Sequence, residues 1–214
     1  MTTANFPTWW DFCQQFDGSA HDDAVAANGQ GDGAGTTIWG FIYPTWRLAR
    51  RFAGYSDLAF QTFRAMSQPQ AMVLAESFFW KRQWGEALAP GVDIQAIDWI
   101  FGSGGAVREI QRRLGFTGNS VDGLMGPATV GKISAMATAF IPQCYQWRVD
   151  YYDDCGFRQQ WPGLYRRALE CRQLAQRVAG VLPAPPPVPA KPAVTMPGLD
   201  SQASLPPNDP AQSG

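Results

Sequence analysis

Apolar residues recur at helical spacing along most of the chain as far as residue 180. Trp9, Phe12, Cys13 and Phe16 follow the i, i+3, i+4, i+7 rule for one buried face. Pro7 can open that helix in its first turn, where a missing N–H costs nothing, and Gly18 can end it. Pro44 starts a short helix through Phe52, closed by Gly54, and Ser67 with Pro69 opens another through Trp84. Residues 92–101 form a further apolar segment. Ser103 can cap a helix with Val107, Ile110 and Leu114 inward, stopped by Gly115. Gly126-Pro127 begins the next, with Val130, Ile133, Ala137 and Phe140 on one face, and Pro142 starts one towards Cys155. Pro162 opens the last, in which Leu164, Ala168, Cys171, Ala175 and Val178 keep a clean helical period before Gly180. The exception is the glycine-rich stretch 17–40, which lacks the alternation of a strand and reads as a long loop. Thr36, Thr37, Ile38, Trp39, Phe41, Ile42 and Tyr43 are strand formers and admit a small β-hairpin near residues 36–43. The pattern predicts a mainly α fold.

The last 32 residues break from this pattern. Residues 183–214 hold ten of the 17 prolines and no aromatic residue. Such a stretch cannot bury enough apolar surface to offset its ordering entropy, so it is expected to be a disordered, polyproline-rich tail, either dispensable or a tether. Apolar residues make up 45% and charged residues 16%, enough for a core in the remainder. Formal net charge is -1, which argues against a general nucleic-acid binder, and the chain contains no run of 18 apolar residues that would span a membrane. The charge is unevenly placed: residues 1–40 carry five acids and no Lys or Arg, while residues 41–182 carry 16 basic against 11 acidic residues. The first fifteen residues do not read as a secretory signal, so a protein made in the cytoplasm and acting outside it would need another route of release. Cys13, Cys144, Cys155 and Cys171 form no C-x-x-C pair, and His21 has only Asp22 and Asp23 beside it, which leaves neither a metal site nor a cofactor implied. The cysteines read as buried free thiols, or as one or two disulfides in an oxidising compartment.

Asp17 is the first candidate for chemistry. It sits where the first helix stops, at the end that carries partial negative charge. That potential disfavours an ionised carboxylate, and a carboxyl kept protonated is what a general acid requires. After Asp17-Gly18 comes Asp32-Gly33-Ala34-Gly35-Thr36-Thr37-Ile38-Trp39-Gly40-Phe41. These residues resemble glycoside hydrolase family 108, the N-acetylmuramidase endolysins, whose first helix ends in Glu-Gly-Gly-Tyr and is followed by Asp-Pro-Gly-Gly-Ala-Thr-Asn-Tyr-Gly-Ile. Asp32, Gly35, Thr37 and Gly40 match directly, Trp39 replaces a Tyr, and Asp17-Gly18 takes the Glu-Gly position. Downstream, Ile97-Asp98-Trp99, Ile110-Gln111 and Asp122-Gly123-Leu124-Met125-Gly126-Pro127-Ala128-Thr129 resemble the family's predicted peptidoglycan-binding segment. Gly163-Leu164-Tyr165-Arg166-Arg167 resembles its Gly-Trp-x-x-Arg ending.

The resemblance implies a lysozyme-like helical fold, with residues 6–90 as the catalytic half and 91–180 as a smaller peptidoglycan-binding helical half. It implies cleavage of the β-1,4 bond between N-acetylmuramic acid and N-acetylglucosamine, with peptidoglycan glycan strands as partner. Asp17 would be the acid, Asp32 would stabilise the developing cation or activate water, and Thr37 would position that water. Trp39, Gly40 and Asp98 would contact substrate. Asp17 is one methylene shorter than the family's Glu, and Ser19 and Ala20 replace its second Gly and Tyr. Three readings follow: the backbone advances to restore reach, Asp22 or Asp23 serves instead, or activity is lost and only sugar binding remains. Glu76, mid-helix among aromatic residues, is a poor substitute. Trp9, Trp80 and Trp99 read as core, and Arg108, Arg112 and Arg113 as a solvated basic run or a contact for wall carboxylates and phosphates. The competing classes are a non-enzymatic wall-binding or structural module of a phage particle or secretion apparatus, and an interaction domain with a proline-rich tether.

Overall fold

The computed structural model describes residues 4–17, 20–21 and 37–182. Its centre is decided by one segment. Val92–Gly102 (α5) carries apolar residues on every side, and a helix of that kind must be enclosed by others. Every residue from Val92 to Ile100 is buried, including the polar Asp93, Gln95 and Asp98. Phe6–Asp17 (α1), Phe140–Asp154 (α8) and Pro162–Val178 (α10) pack around α5. Gly91, at φ +82°, lets α5 begin against α10: a Cβ there would lie 2.2 Å from the Ala175 carbonyl oxygen.

Thr37–Ile38 (β2) and Phe41–Ile42 (β3) form the antiparallel hairpin that the strand formers admit, with Ala20–His21 (β1) added on the outer side of β2. Reading 17–40 as unbroken loop missed β1, because two residues are too few to show alternation. Tyr43–Phe52 (α2), Phe60–Arg64 (α3) and Gln68–Ala75 (α4) follow, the last with Ser67 N–H donating to Gln70 Oε1 at 2.9 Å as half of a capping box. The helix expected to run through Trp84 instead widens into a π turn over Glu76–Lys81. That turn buries three consecutive aromatic residues, Phe78, Phe79 and Trp80, and pairs Glu76 with Lys81 at 3.0 Å. Ala106–Arg113 (α6) is preceded by Gly105, with no side-chain cap from Ser103. Pro127–Met136 (α7) stops at Ala137, whose positive φ separates it from α8, and Phe157–Gln160 (α9) is a short extra helix.

The fold is mainly α, as the helical periodicity predicts. A single buried cluster runs from Phe6 to Ala175, so residues on both sides of position 90 share one core. Trp9, Trp80 and Trp99 all lie in it. No helix among the described residues is long and apolar enough to cross a membrane. The chain divides into two units, Met1–Ala184 and Pro185–Gly214. The expectation of a disordered tail over 183–214 falls outside the described residues.

Candidate active site

Asp17 is the last residue of α1, and its side chain is 25% exposed. Two elements bracket it. One is the β2–β3 turn, where Trp39 and Gly40 both have positive φ, the geometry of a two-residue hairpin loop that follows strand twist. Gly40 rests on the Phe101 ring and on Asp17. A Cβ at position 40 would lie 2.6 Å from Phe101 Cζ and 3.3 Å from Asp17 Cβ, so only glycine allows the turn to close there. Phe101 is itself fixed by edge-to-face contacts with Trp9, Phe41 and Phe79. The other element is α10, from which Arg167 Nη1 donates to Asp17 Oδ2.

Behind Asp17 lies a buried ionic network. Asp98 is 0% exposed on α5 and accepts from Arg148 Nη1 at 2.7 Å and Arg167 Nη2 at 2.8 Å. Arg167 Nε adds a contact to Asp98 at 3.2 Å, and the Cys13 thiol donates to the same carboxylate at 3.7 Å. Arg148 also donates to the Tyr152 hydroxyl at 2.7 Å. Two guanidinium groups and two carboxylates therefore balance, and they tie α1, α5, α8 and α10 together. Burial opposes the charge on Asp98, but Arg167 and Arg148 outweigh it and hold its carboxyl well below the usual carboxylate range. Burial raises the Cys13 thiol well above its ordinary value, which leaves it unreactive.

In front of Asp17 is an open cleft of about 310 Å³, lined by Phe16, Asp17, Gln160, Trp161, Pro162, Gly163, Leu164, Arg166 and Arg167. Its volume is in the range of small-ligand sites, and its described residues offer two aromatic side chains, apolar walls, two guanidinium groups and one carboxylate.

The predicted site residues separate under this geometry. Asp17 and Gly40 are brought into contact. Thr37 is half-buried on β2, paired in register with His21 and Ile42. Trp39 is half-buried, and its indole N–H is taken by the Met66 carbonyl at 2.8 Å, which fixes the turn. Asp98 is corrected from a substrate contact to a buried anchor, since a carboxylate with no exposed surface cannot touch a glycan. Asp32, like Asp22 and Asp23, lies outside the described residues. Glu76 is a paired acid. The basic run on α6 is also occupied: Arg112 and Arg113 bind Glu109, Arg113 reaches Asp150, and Arg108 donates to the Asp122 carbonyl. Sequence reasoning matched Arg167 to a motif but assigned it no role, and missed Arg148 and Trp161. No local signal joins positions 17 and 167, which are 150 residues apart.

The Asp-Gly-x-x-Gly-Pro-x-Thr motif folds around Gln111. That buried amide donates to Asp122 Oδ1 at 2.8 Å, the Leu124 carbonyl at 3.1 Å and Thr129 Oγ1 at 3.3 Å, and accepts from Gly123 N–H at 2.9 Å. Its side-chain polar capacity is nearly exhausted within the loop, so the motif is a loop-closing device.

Fold and site together define a helical protein with an ion-paired carboxylate at a helix end, facing a cleft. No family profile and no curated protein sequence match the chain. Among solved structures it is similar to the structure of Brucella abortus SagA, with a TM-score of 0.68 at 20% identity, over 83% of this chain and 97% of that one. The likeness is one of fold.

Proposed function

We propose that the protein hydrolyses peptidoglycan glycan strands at the β-1,4 bond between N-acetylmuramic acid and N-acetylglucosamine, as the motif resemblance to family 108 muramidases implies. The observation that carries the reading is the position of Asp17, the one carboxylate among the described residues that line the cleft, held between the Gly40 turn and Arg167. In this mechanism Asp17, parted from Arg167 and carrying a proton once substrate is bound, donates that proton to the glycosidic oxygen as the C–O bond breaks and positive charge spreads over the ring. Water then adds to the anomeric carbon and its proton is returned to a carboxylate. Asp32 and Thr37 are the candidates for activating and placing that water. Arg167 acts on Asp17 as a positioning residue and holds its Oδ2. Trp161 provides a flat face on which a sugar ring can stack. Action on the wall would follow release through a phage-encoded membrane hole or a secretion machine.

A second reading is favoured by one feature. Asp17 is short and its carboxylate is engaged by Arg167, which suits glycan binding without turnover. Incubating the purified chain with peptidoglycan and measuring new reducing ends separates the two. Turnover that disappears in Asp17→Asn supports the hydrolase. Binding without turnover, with activity gained in Asp17→Glu, supports a degenerate wall-binding module. Neither binding nor turnover rejects both.

A further inference from the structure

The outward face of α2 is unusual for a surface helix. Its inner face is set by Trp46 and Ala49, both buried. Leu48, Arg51 and Phe52 fall at i, i+3 and i+4 on the other side, with Tyr55 just past the helix end, and Leu48 and Phe52 are 54% and 53% exposed. This is an apolar stripe turned to solvent where polar residues are expected. Neighbouring elements extend it. Phe52 meets Phe78 of the π turn at 5.8 Å, with the Arg82 guanidinium over both rings at 5.4 and 4.6 Å. On the Trp46 side of α2, by contrast, Arg50 stacks on Tyr55 at 3.9 Å and donates to the Asp57 carbonyl at 3.1 and 3.3 Å, and Arg50 and Tyr55 line a cavity of about 320 Å³ with Trp46 and with Val73 of α4, which is 57% exposed. Six of the eleven exposed large apolar side chains among the described residues fall between Leu48 and Val73.

The charge of this region is predominantly positive. Residues 43–84 carry six basic residues against two acids in a chain of net charge -1, and α2 contains three arginines and no acid. Among the described residues Arg47, Arg50, Arg51 and Arg82 form no ion pair with a carboxylate. Arg47, Arg50 and Arg82 lie over aromatic rings, and Arg50 also donates to the Asp57 carbonyl.

We propose that the outer face of α2, with the adjoining π turn, docks on an anionic phospholipid bilayer. Leu48 and Phe52 enter the headgroup boundary, while Arg51 and Arg82 beside them meet lipid phosphates. Exposed apolar side chains ringed by long cationic ones match an interface that is apolar below and negative above. The protein lies on the bilayer and does not cross it. This surface is separate from the Asp17 cleft, so the proposal stands whether or not the protein hydrolyses glycan.

The test is co-sedimentation of the full chain with vesicles of phosphatidylcholine alone or of an equal mixture with phosphatidylglycerol, with circular dichroism confirming that each variant folds. The parent is expected to bind the mixed vesicles and not the neutral ones. Leu48→Ser with Phe52→Ser is expected to lower partitioning by at least about tenfold. Arg51→Glu with Arg82→Glu is expected to do the same at low salt. Val73→Ser, on the Trp46 side of α2 and outside the stripe, is expected to leave binding unchanged. Failure of the parent to bind either vesicle overturns the proposal. So does binding that ignores Leu48→Ser with Phe52→Ser but is competed away by soluble polyphosphate, which would identify a general polyanion surface instead.

Discussion

Asp98→Asn is expected to be among the most damaging conservative changes in this protein. The carboxylate it removes is fully buried and accepts hydrogen bonds from Arg148 at 2.7 Å and Arg167 at 2.8 Å. The asparagine keeps the shape but turns an NH₂ donor towards guanidinium donors, and it leaves two buried cations sharing one carboxylate, that of Asp17. Breaking a buried pair by removing one partner costs about 3–5 kcal/mol. That is a large share of the roughly 5–15 kcal/mol by which a domain is stable. Urea unfolding followed by tryptophan fluorescence is the assay, since Trp99 adjoins Asp98 in α5. With an m value of roughly 2–3 kcal/mol/M for a chain of this size, the midpoint is expected to fall by about 1–2 M. Adding Arg148→Met is expected to recover part of the loss, because it removes the orphaned cation. A loss below about 1 kcal/mol, the value of an exposed pair, would refute the claim that this network holds the four helices together.

Gly40→Ala is expected to damage stability and site together, by about 1–3 kcal/mol, because the added Cβ meets Phe101 at 2.6 Å and crowds Asp17 in a turn of positive φ. An unchanged melting temperature would remove the turn from any account of how Asp17 is placed. The two buried acids of α5 are expected to give pH dependences of opposite sign. Asp98, held low by its guanidinium partners, contributes stability that is present above about pH 4 and is lost as pH falls below it. Asp93 is pushed up to about 6 by burial, partly offset by hydrogen bonds from Asn5 Nδ2 at 2.8 Å and Ile94 N–H at 2.7 Å. Its folded form holds the proton more tightly than the unfolded one, so stability declines as pH rises from about 4 through 6. Asp93→Asn is expected to remove that decline in unfolding measured between pH 4 and 7, and parallel curves for parent and variant would contradict it.

Helix positions were legible in the sequence wherever a proline or glycine punctuated a clean period, as in α1, α2 and α10. Those signals are local, resting on backbone restrictions at single residues. The largely apolar run over 92–101 likewise marked the segment that had to be enclosed. The hairpin at Thr37–Ile42 was visible in its strand formers, and Asp17 was singled out from its place at a helix end. Tertiary structure decided what these pieces do for one another. It converted Asp98 from a supposed glycan contact into the anchor of Arg148 and Arg167, joined Asp17 to a residue 150 positions away, and set Gly40 against both Phe101 and Asp17. The physical reason is that helical period depends on neighbours three and four residues apart, whereas charge pairing and close approach depend on distances that only the packed chain defines.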